Sequence, residues 1–440
     1  MKFFLTIIVF LLLSNCSFDN KTGIWQNSND IKLKKNDQFK DFKKINTAAI
    51  LFNEIIQPNK DVKIILDPVK LNLSWVDEFY QNSNTLNNFS FKDTNELIFK
   101  SKKLSKNKIK KRFLFHDQKV FLTDAKGNII IYSIENQKII FKYNFYKKKY
   151  KKITKVLNII LEKDIIYISD NLGYLYALDY INQKLIWAQN YKIPFRSNLK
   201  VLKDKLYVAD TNNSLYLIYK RNGEKIRIIP TEETLIKNDF INSLALNKDF
   251  LFFLNTYGSL YSVDKNGKIK WFINLNQSLN INPNSLFYSH PILLHKDKII
   301  ISTDSNLYVI NSNNGSIVFK LSINSWVKPI ISGSNMFLIT KENLLVYVNL
   351  EIGKIIYSID VNQKIADFLD VKANFADIKS LAIVNSDLYL FLNNSYLVKF
   401  ATNGKIKNII KLSSRPNSYP IFINDSIIYL DNKNKLIITN

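Results

Sequence analysis

The sequence predicts an all-β protein, an eight-bladed β-propeller of four-stranded antiparallel blades closed by a strand from the N-terminal part of the chain. Three observations lead there. A strand–turn phrase recurs along most of the 440 residues. Its turn residue returns at intervals centred in the mid-forties, the length of one four-stranded blade. The composition (23 Tyr, 30 Phe and abundant Ile) suits strands.

The elements follow in chain order. The first residues, MKFFLTIIVFLLLSNC, combine Lys2 with an apolar run from Phe3 to Leu13 that is too short for a lasting membrane span. Leu13-Ser14-Asn15-Cys16 resembles a bacterial lipobox, which implies removal of residues 1–15 as a signal and lipidation of Cys16. Asn15 is an unusual residue before the cysteine. Ser17, where lipoproteins retained in the inner membrane commonly carry Asp, implies the outer membrane. Residues 16–44 are polar and aperiodic and are expected to be a flexible tether. Cys16 is the sole cysteine, so an intrachain disulfide and a cysteine zinc site are both excluded.

Residues 45–440 are assigned to the propeller. Four clear copies of the phrase begin at Ile165, Phe250, Ile299 and Met336. The turn residues Gln137, Gln183, Gly223, Gly267, Gly315, Gly353 and Gly404 set the register. Four positions after each stand Phe141, Trp187, Arg227, Trp271, Phe319, Tyr357 and Asn408. Strands such as IIYIS and FLFFL are apolar on both faces, as strands between neighbouring blades must be. The recurring aromatic is read as packing between blades, because a residue fixed to a repeat position packs before it does anything else. Arg227 and Asn408 depart from the motif and make blades 3 and 7 degenerate. Seven copies are complete, and the eighth, from Ser418, has three strands. The missing strand is assigned to Lys70–Trp75, KLNLSW, whose Trp75 supplies the expected aromatic; closure hides the sheet edge.

The phrase LYALDYINQKLIW resembles the PQQ-like (quinoprotein alcohol dehydrogenase-like) propeller repeat. In layout (lipobox, tether, a pre-propeller segment and eight blades) the chain resembles the BamB family, propeller lipoproteins of the outer-membrane β-barrel assembly (BAM) machinery. That resemblance implies a non-catalytic scaffold without a cofactor, lipid-anchored at the periplasmic face of the outer membrane. It implies a monomer within a hetero-complex that binds periplasmic domains of a BamA-like barrel-inserting subunit. The family binds its partner between blades 3 and 4, which carries over to Leu235, Ile236 and Lys237 in IIPTEETLIKNDFIN. Leu235 and Ile236 form either an exposed contact or part of the core beneath the blade.

The net charge of +25 comes from scattered Lys in a chain equally rich in Asn and Ile, a codon-bias pattern. A nucleic-acid site needs charge gathered on one face, so none is expected. The run Lys147, Lys148, Lys149, Lys151 and Lys152 reads as a solvated loop. Two other classes stay open on the same fold: a PQQ-dependent dehydrogenase and a cell-wall-binding propeller. Against the former, no second cysteine exists and Asp170, Asp179, Asp210, Asp264 and Asp304 sit at turn positions, where Asp bonds its own backbone. His116, His290 and His295 show no catalytic or metal spacing.

Overall fold

The computed structural model describes residues 16–18, 25–27, 51–59, 64–233, 241–276, 287–372 and 375–440. It divides into two units, residues 1–50 and 51–440. In the first, Cys16–Phe18 pairs antiparallel with Trp25–Asn27. Residues 1–15, the expected signal, lie outside the described residues.

Short strands joined by tight turns build the second unit. At the last hairpin of each blade the turn residue must adopt positive φ, and Gln137, Gln183, Gly223, Gly267, Gly315, Gly353 and Gly404 all do. These hairpins assemble seven blades, at 114–144, 157–190, 200–229, 243–274, 293–321, 330–360 and 378–411, with four sequential antiparallel strands apiece. The eighth holds Ile421–Ile423, Ser426–Leu430 and Leu436–Thr439. First strands of successive blades are neighbours around a common axis. The apolar clusters lie between blades: one joins Tyr207 and Leu217 of blade 3 to Leu244 and Phe253 of blade 4. Burial on both faces explains why these strands lack strict alternation.

The fourth strand carries a bulge at the same place in every blade. In blade 2, Ala177 faces Trp187 and Leu178 faces Leu185, leaving Ile186 extra. In blade 4 the pairs are Ser262 with Trp271 and Val263 with Ile269. The bulge turns the recurring aromatic onto the hairpin turn of the next blade. Trp187 Nε1 donates to the Lys220 carbonyl at 2.9 Å, and Trp271 Nε1 to Ser312 at 3.2 Å. A Cβ on Gly223 would come within 2.6 Å of Trp187, and one on Gly315 within 2.5 Å of Trp271. The aromatic and the turn glycine thus form one lock between blades.

An N-terminal strand closes the ring, but it is Leu97–Lys100 and not Lys70–Trp75. Leu97–Lys100 lies antiparallel to Leu436–Thr439, with the blade's bulge between Ile438 and Thr439. Phe99 stands at the aromatic position and packs on Tyr132 of blade 1 at 6.3 Å. An outermost strand shows its side chains to solvent, as Leu97 and Ile98 do. Trp75 is buried instead against Tyr80 at 4.6 Å, with backbone bonds to Phe115 of blade 1. Lys70 pairs with Phe89.

Among the described residues one α-helix interrupts the strands. α1 (Val361–Leu369) lies in the connection from blade 6 to blade 7. Asp360 caps it, accepting from the Asn362 and Gln363 amides at 2.8 and 3.1 Å. Val361, Ile365 and Ala366 form its buried face, at helical spacing.

Candidate functional site

Residues 72–91 cross the axis and touch every blade. Asn72 accepts from the Asn424 amide and donates to the Phe422 carbonyl of blade 8. Trp75 pairs with blade 1 and Asp77 with Ile160 of blade 2. The Leu246 and Leu294 amides of blades 4 and 5 donate to the Asn82 and Ser83 carbonyls. Asn88–Phe89 adds a parallel fifth strand inside blade 7, against Ile378–Val384. All these contacts fall where the first strands end, so the segment plugs that end of the axis.

A polar network holds the plug. Lys200 of blade 3 is wholly buried, and its Nζ donates to Asp77 Oδ2 at 2.7 Å, the Gln81 carbonyl at 2.8 Å and Asn84 Oδ1 at 2.7 Å. Burial lowers the Lys200 pKa, and the Asp77 charge opposes that shift. The Asn84 amide nitrogen donates onward to the Leu244 and Ile292 carbonyls at 2.9 and 2.8 Å. A second buried acid, Glu78, is held by Lys110 at 2.7 Å.

Among the described residues nothing plugs the other end of the axis. A cavity of about 360 Å³ lies there, floored by Trp75, Glu78 and Phe79 and walled by residues that enter the first strands. Its basic side chains are Arg112 of blade 1, Lys328 of blade 6 and Lys379 of blade 7. The Arg112 guanidinium lies 4.4 Å from the Phe79 ring centre and 4.7 Å from that of Tyr419. Lys328 Nζ donates to the Asn84 carbonyl at 2.8 Å; burial, then the charges of Arg112 and Lys200, push its pKa down to about 7. Lys379 Nζ donates to the Pro416 and Asn417 carbonyls at 2.7 and 2.8 Å, and burial takes its pKa to about 8. His290, whose Nε2 meets the Ser325 carbonyl at 3.0 Å, is held neutral, its pKa lowered by burial to about 4.

The residues singled out in the sequence are distributed as follows. Leu235, Ile236 and Lys237 lie outside the described residues. The start of their connection is anchored: Glu232 accepts from Asn255, Ser259 and Tyr261 of blade 4, between 2.8 and 3.0 Å. Cys16 belongs to the first unit. Trp187 and Trp271 pack between blades as expected. Four of the five turn aspartates bond their own backbone: Asp170 Oδ1 accepts from the Leu172 and Tyr174 amides, Asp210 Oδ1 from Asn212 and Ser214, and Asp179 and Asp264 do likewise, whereas at the turn of Asp304 it is the Thr303 hydroxyl that accepts from the Ser305 and Asn306 amides. Among the described residues no group of three or more His, Cys, Asp or Glu could hold a metal ion. His290 enters the axial cavity, whereas His295 ends the first strand of blade 5 on the plugged side. Sequence reasoning missed the plug and the cavity altogether.

The face around the cavity mouth also carries the connections between blades. An arc of them, from blade 3 to blade 7, presents exposed apolar side chains: Ile241, Tyr288, Trp326 at 52% exposure, Phe368 and Phe375 at 75%.

Comparison with known proteins matches this geometry. The family model described as outer membrane protein assembly factor BamB matches residues 159–364, which hold blades 2 to 6. A search of curated proteins by sequence finds no match. The crystal structure of BamB from Moraxella catarrhalis superposes with TM-score 0.60 at 11% identity, covering 78% of this chain and 99% of that one. Quinohemoprotein alcohol dehydrogenase from Comamonas testosteroni superposes with TM-score 0.63 at 10% identity, covering 83% and 80%. A europium-containing methanol dehydrogenase gives 0.59 at 11%, covering 83% and 89%. Identities this low establish the fold alone, and scaffold and enzyme structures share it equally. The chain is an eight-bladed β-propeller, similar to the BamB family across blades 2 to 6, which the family model matches.

Proposed function

We propose that this chain is a non-catalytic scaffold lipoprotein of the outer-membrane β-barrel assembly machinery, anchored through Cys16 and binding periplasmic domains of a BamA-like subunit. The observation that carries the reading is the arc of exposed apolar side chains on the connections from blade 3 to blade 7. Solvent-facing rings of this size on neighbouring loops mark interaction surfaces. Leu235, Ile236 and Lys237 belong to one connection of that arc, and the BamB family match covers it. Leu235 and Ile236 are assigned as apolar anchors and Lys237 as a rim charge.

The test is capture of the lipidated protein from gently solubilised membranes, followed by binding to purified periplasmic domains of the barrel-inserting subunit. Leu235→Ser with Ile236→Ser is expected to weaken binding by about 2–4 kcal/mol. Lys237→Glu is expected chiefly to slow association and alter its salt dependence. Cys16→Ser should release the protein from the membrane or leave its precursor uncleaved. Recovery of cell-wall fragments in place of assembly subunits would overturn the reading. So would intact binding in the double variant with a sharply lowered melting temperature, which would make Leu235 and Ile236 core residues.

A further inference from the structure

We propose that one sector of the face carrying the connections between blades, from blade 8 through blade 1 to blade 2, is a docking surface for an anionic phospholipid bilayer. The sector lies outside the arc assigned to the protein partner. It draws on that reading only for the lipid anchor at Cys16, which brings a membrane within reach.

Two stretches separated in the sequence come together there. Residues 101–110 lead from the closing strand towards blade 1 and carry Lys102, Lys103, Lys106 and Lys108, all exposed. Residues 145–156 lead from blade 1 to blade 2 and carry Lys147, Lys148, Lys149, Lys151 and Lys152, also exposed. A turn of blade 1 stitches the two into one surface. The Ala125 amide donates to the Lys108 carbonyl at 2.9 Å, and the Lys155 amide to the Ala125 carbonyl at 3.0 Å. On one flank the Asn434 side chain of blade 8 donates to the Ser105 and Asn107 carbonyls at 3.0 and 2.8 Å. On the other, the Asn171 side chain of blade 2 accepts from the Val156 amide at 2.9 Å and donates to the Thr154 carbonyl at 3.0 Å. The lysines are thus carried on a built platform.

The charge of this platform has one sign. Residues 101–113 and 145–156 contain no Asp or Glu. The acids of the adjoining turns, Asp124, Asp170 and Asp431, are buried and engaged. Asp124 accepts from Ser105, Asn107 and Asn128, Asp170 from Tyr146, and Asp431 from the Lys433 and Lys435 amides. Among the described residues none of the exposed lysines named above forms an ion pair. Like charges gathered on one surface repel, and a surface of opposite sign relieves the repulsion. Along the chain this charge looks scattered, because only the fold joins the two stretches.

The chemistry favours a bilayer over a nucleic acid. All the charge is lysine, a hydrated point charge suited to a diffuse layer of headgroups, without the two-pronged recognition that arginine provides. Exposed aliphatic side chains, Ile153 at 42% and Val156 at 48%, stand beside the lysines and suit shallow contact with acyl chains. The rings of the loop are engaged: Phe145 stacks on Tyr176 at 4.0 Å, Tyr146 donates to Asp170 at 2.7 Å, and Tyr150 packs on Tyr146 at 6.3 Å. They leave bases no platform to stack on. The pre-propeller chain also joins the ring on this side, where the Phe52 amide donates to the Ser322 carbonyl, on the connection from blade 5 to blade 6, at 2.9 Å.

The experiment is co-sedimentation of residues 16–440, carrying Cys16→Ser so that no acyl chain contributes, with vesicles of equal parts phosphatidylglycerol and phosphatidylcholine and with vesicles of phosphatidylcholine alone. The expected result is saturable binding to the anionic vesicles that is absent with the neutral ones and is lost at about 0.5 M salt. Each lysine near an anionic surface strengthens partitioning about fivefold. Lys147→Gln, Lys148→Gln, Lys149→Gln, Lys151→Gln and Lys152→Gln combined should therefore weaken binding about a hundredfold or more. Ile153→Ser with Val156→Ser should weaken it about three- to tenfold and leave its salt dependence in place. Lys163→Gln, Lys203→Gln, Lys248→Gln, Lys265→Gln and Lys296→Gln, in turns at the plugged end, remove the same charge together and should change binding less than about threefold. The comparison of vesicles needs none of these lysine variants, so misfolding of one leaves it standing. Equal binding to neutral vesicles, equal losses in the two sets of lysine variants, or tighter binding to duplex DNA than to anionic vesicles at the same salt would overturn the proposal. None of those outcomes bears on capture of a barrel-inserting subunit, and loss of that capture would leave vesicle binding intact, so the two readings fail separately.

Discussion

Two stretches of the pre-propeller chain do opposite work. Leu97–Lys100 lies on the outside of blade 8, is largely exposed, and acts through backbone bonds to Leu436–Thr439. Residues 72–91 lie on the axis, hold buried aromatics, and act through a network centred on Lys200, Asp77 and Asn84. The first completes a repeat and obeys its rules. The second belongs to no repeat and joins all eight blades at once. Closure of the ring is therefore a matter of pairing, whereas the geometry of its centre depends on polar groups satisfied only together.

That contrast can be broken at either place. Deleting residues 96–101 should have the largest effect. It leaves blade 8 with three strands and an open edge, and the cooperative melting transition should be lost or lowered far more than by deleting residues 17–44. Equal melting curves for the two truncations would show that closure contributes nothing. Lys200→Met should come next, at about 3–5 kcal/mol, because it strands Asp77, the Gln81 carbonyl and Asn84 in a dry interior. Denaturant unfolding would measure it, and a cost below 1 kcal/mol would mean that water reaches the network. Gly315→Ala should cost about 1–3 kcal/mol, since it puts a methyl against Trp271 at positive φ. Combining it with Trp271→Ala should recover part of the loss, and strict additivity would deny the lock between blades.

The smallest effect is a pH dependence. Lys328 and Lys379 have folded pKa values of about 7 and about 8, below the 10.5 of a solvated lysine. Between those values and 10.5 the unfolded chain binds more protons, so these two groups make stability rise with pH across that window. The melting temperature should climb modestly from pH 6.5 to 9, and less so in Lys328→Met. An equal slope in wild type and variant would show that Lys328 stays charged in the fold.

What was legible in the sequence was whatever repeats. The turn residues, with the residue four positions beyond each, placed the first seven blades, since a fixed offset reflects a fixed lock. The same offset was present at the closing strand: Asn95, at positive φ, precedes Phe99 by four, as Gln137 precedes Phe141. Trp75 obscured it by offering the tryptophan that stands at this position in blades 2 and 4, without the turn residue before it. The helix at Val361–Leu369 could have been read from the Asp360 cap and the spacing of Val361 and Ile365. The plug could not. WVDEFYQNSNTLNNFSF has no periodicity, because each residue answers to a different blade. The cavity was beyond reach for a related reason: Arg112, Lys328 and Lys379 are far apart in the chain, and among scattered lysines nothing marks two of them as facing one axis.

The pairing of Lys100 with Ile437 also sets an order of events during synthesis. Blades 1 to 7 can each form from contiguous chain as it emerges, but the strand that completes blade 8 is made early and must wait for residues 436–439. Until then the nascent propeller is an open arc with one unpaired strand at its head and raw edges at its tail. A chain stalled a few residues short would hold nearly all of its blades and still be unable to close. Holding that arc apart from its neighbours during synthesis is a task for chaperones, and it ends only when the last strand arrives.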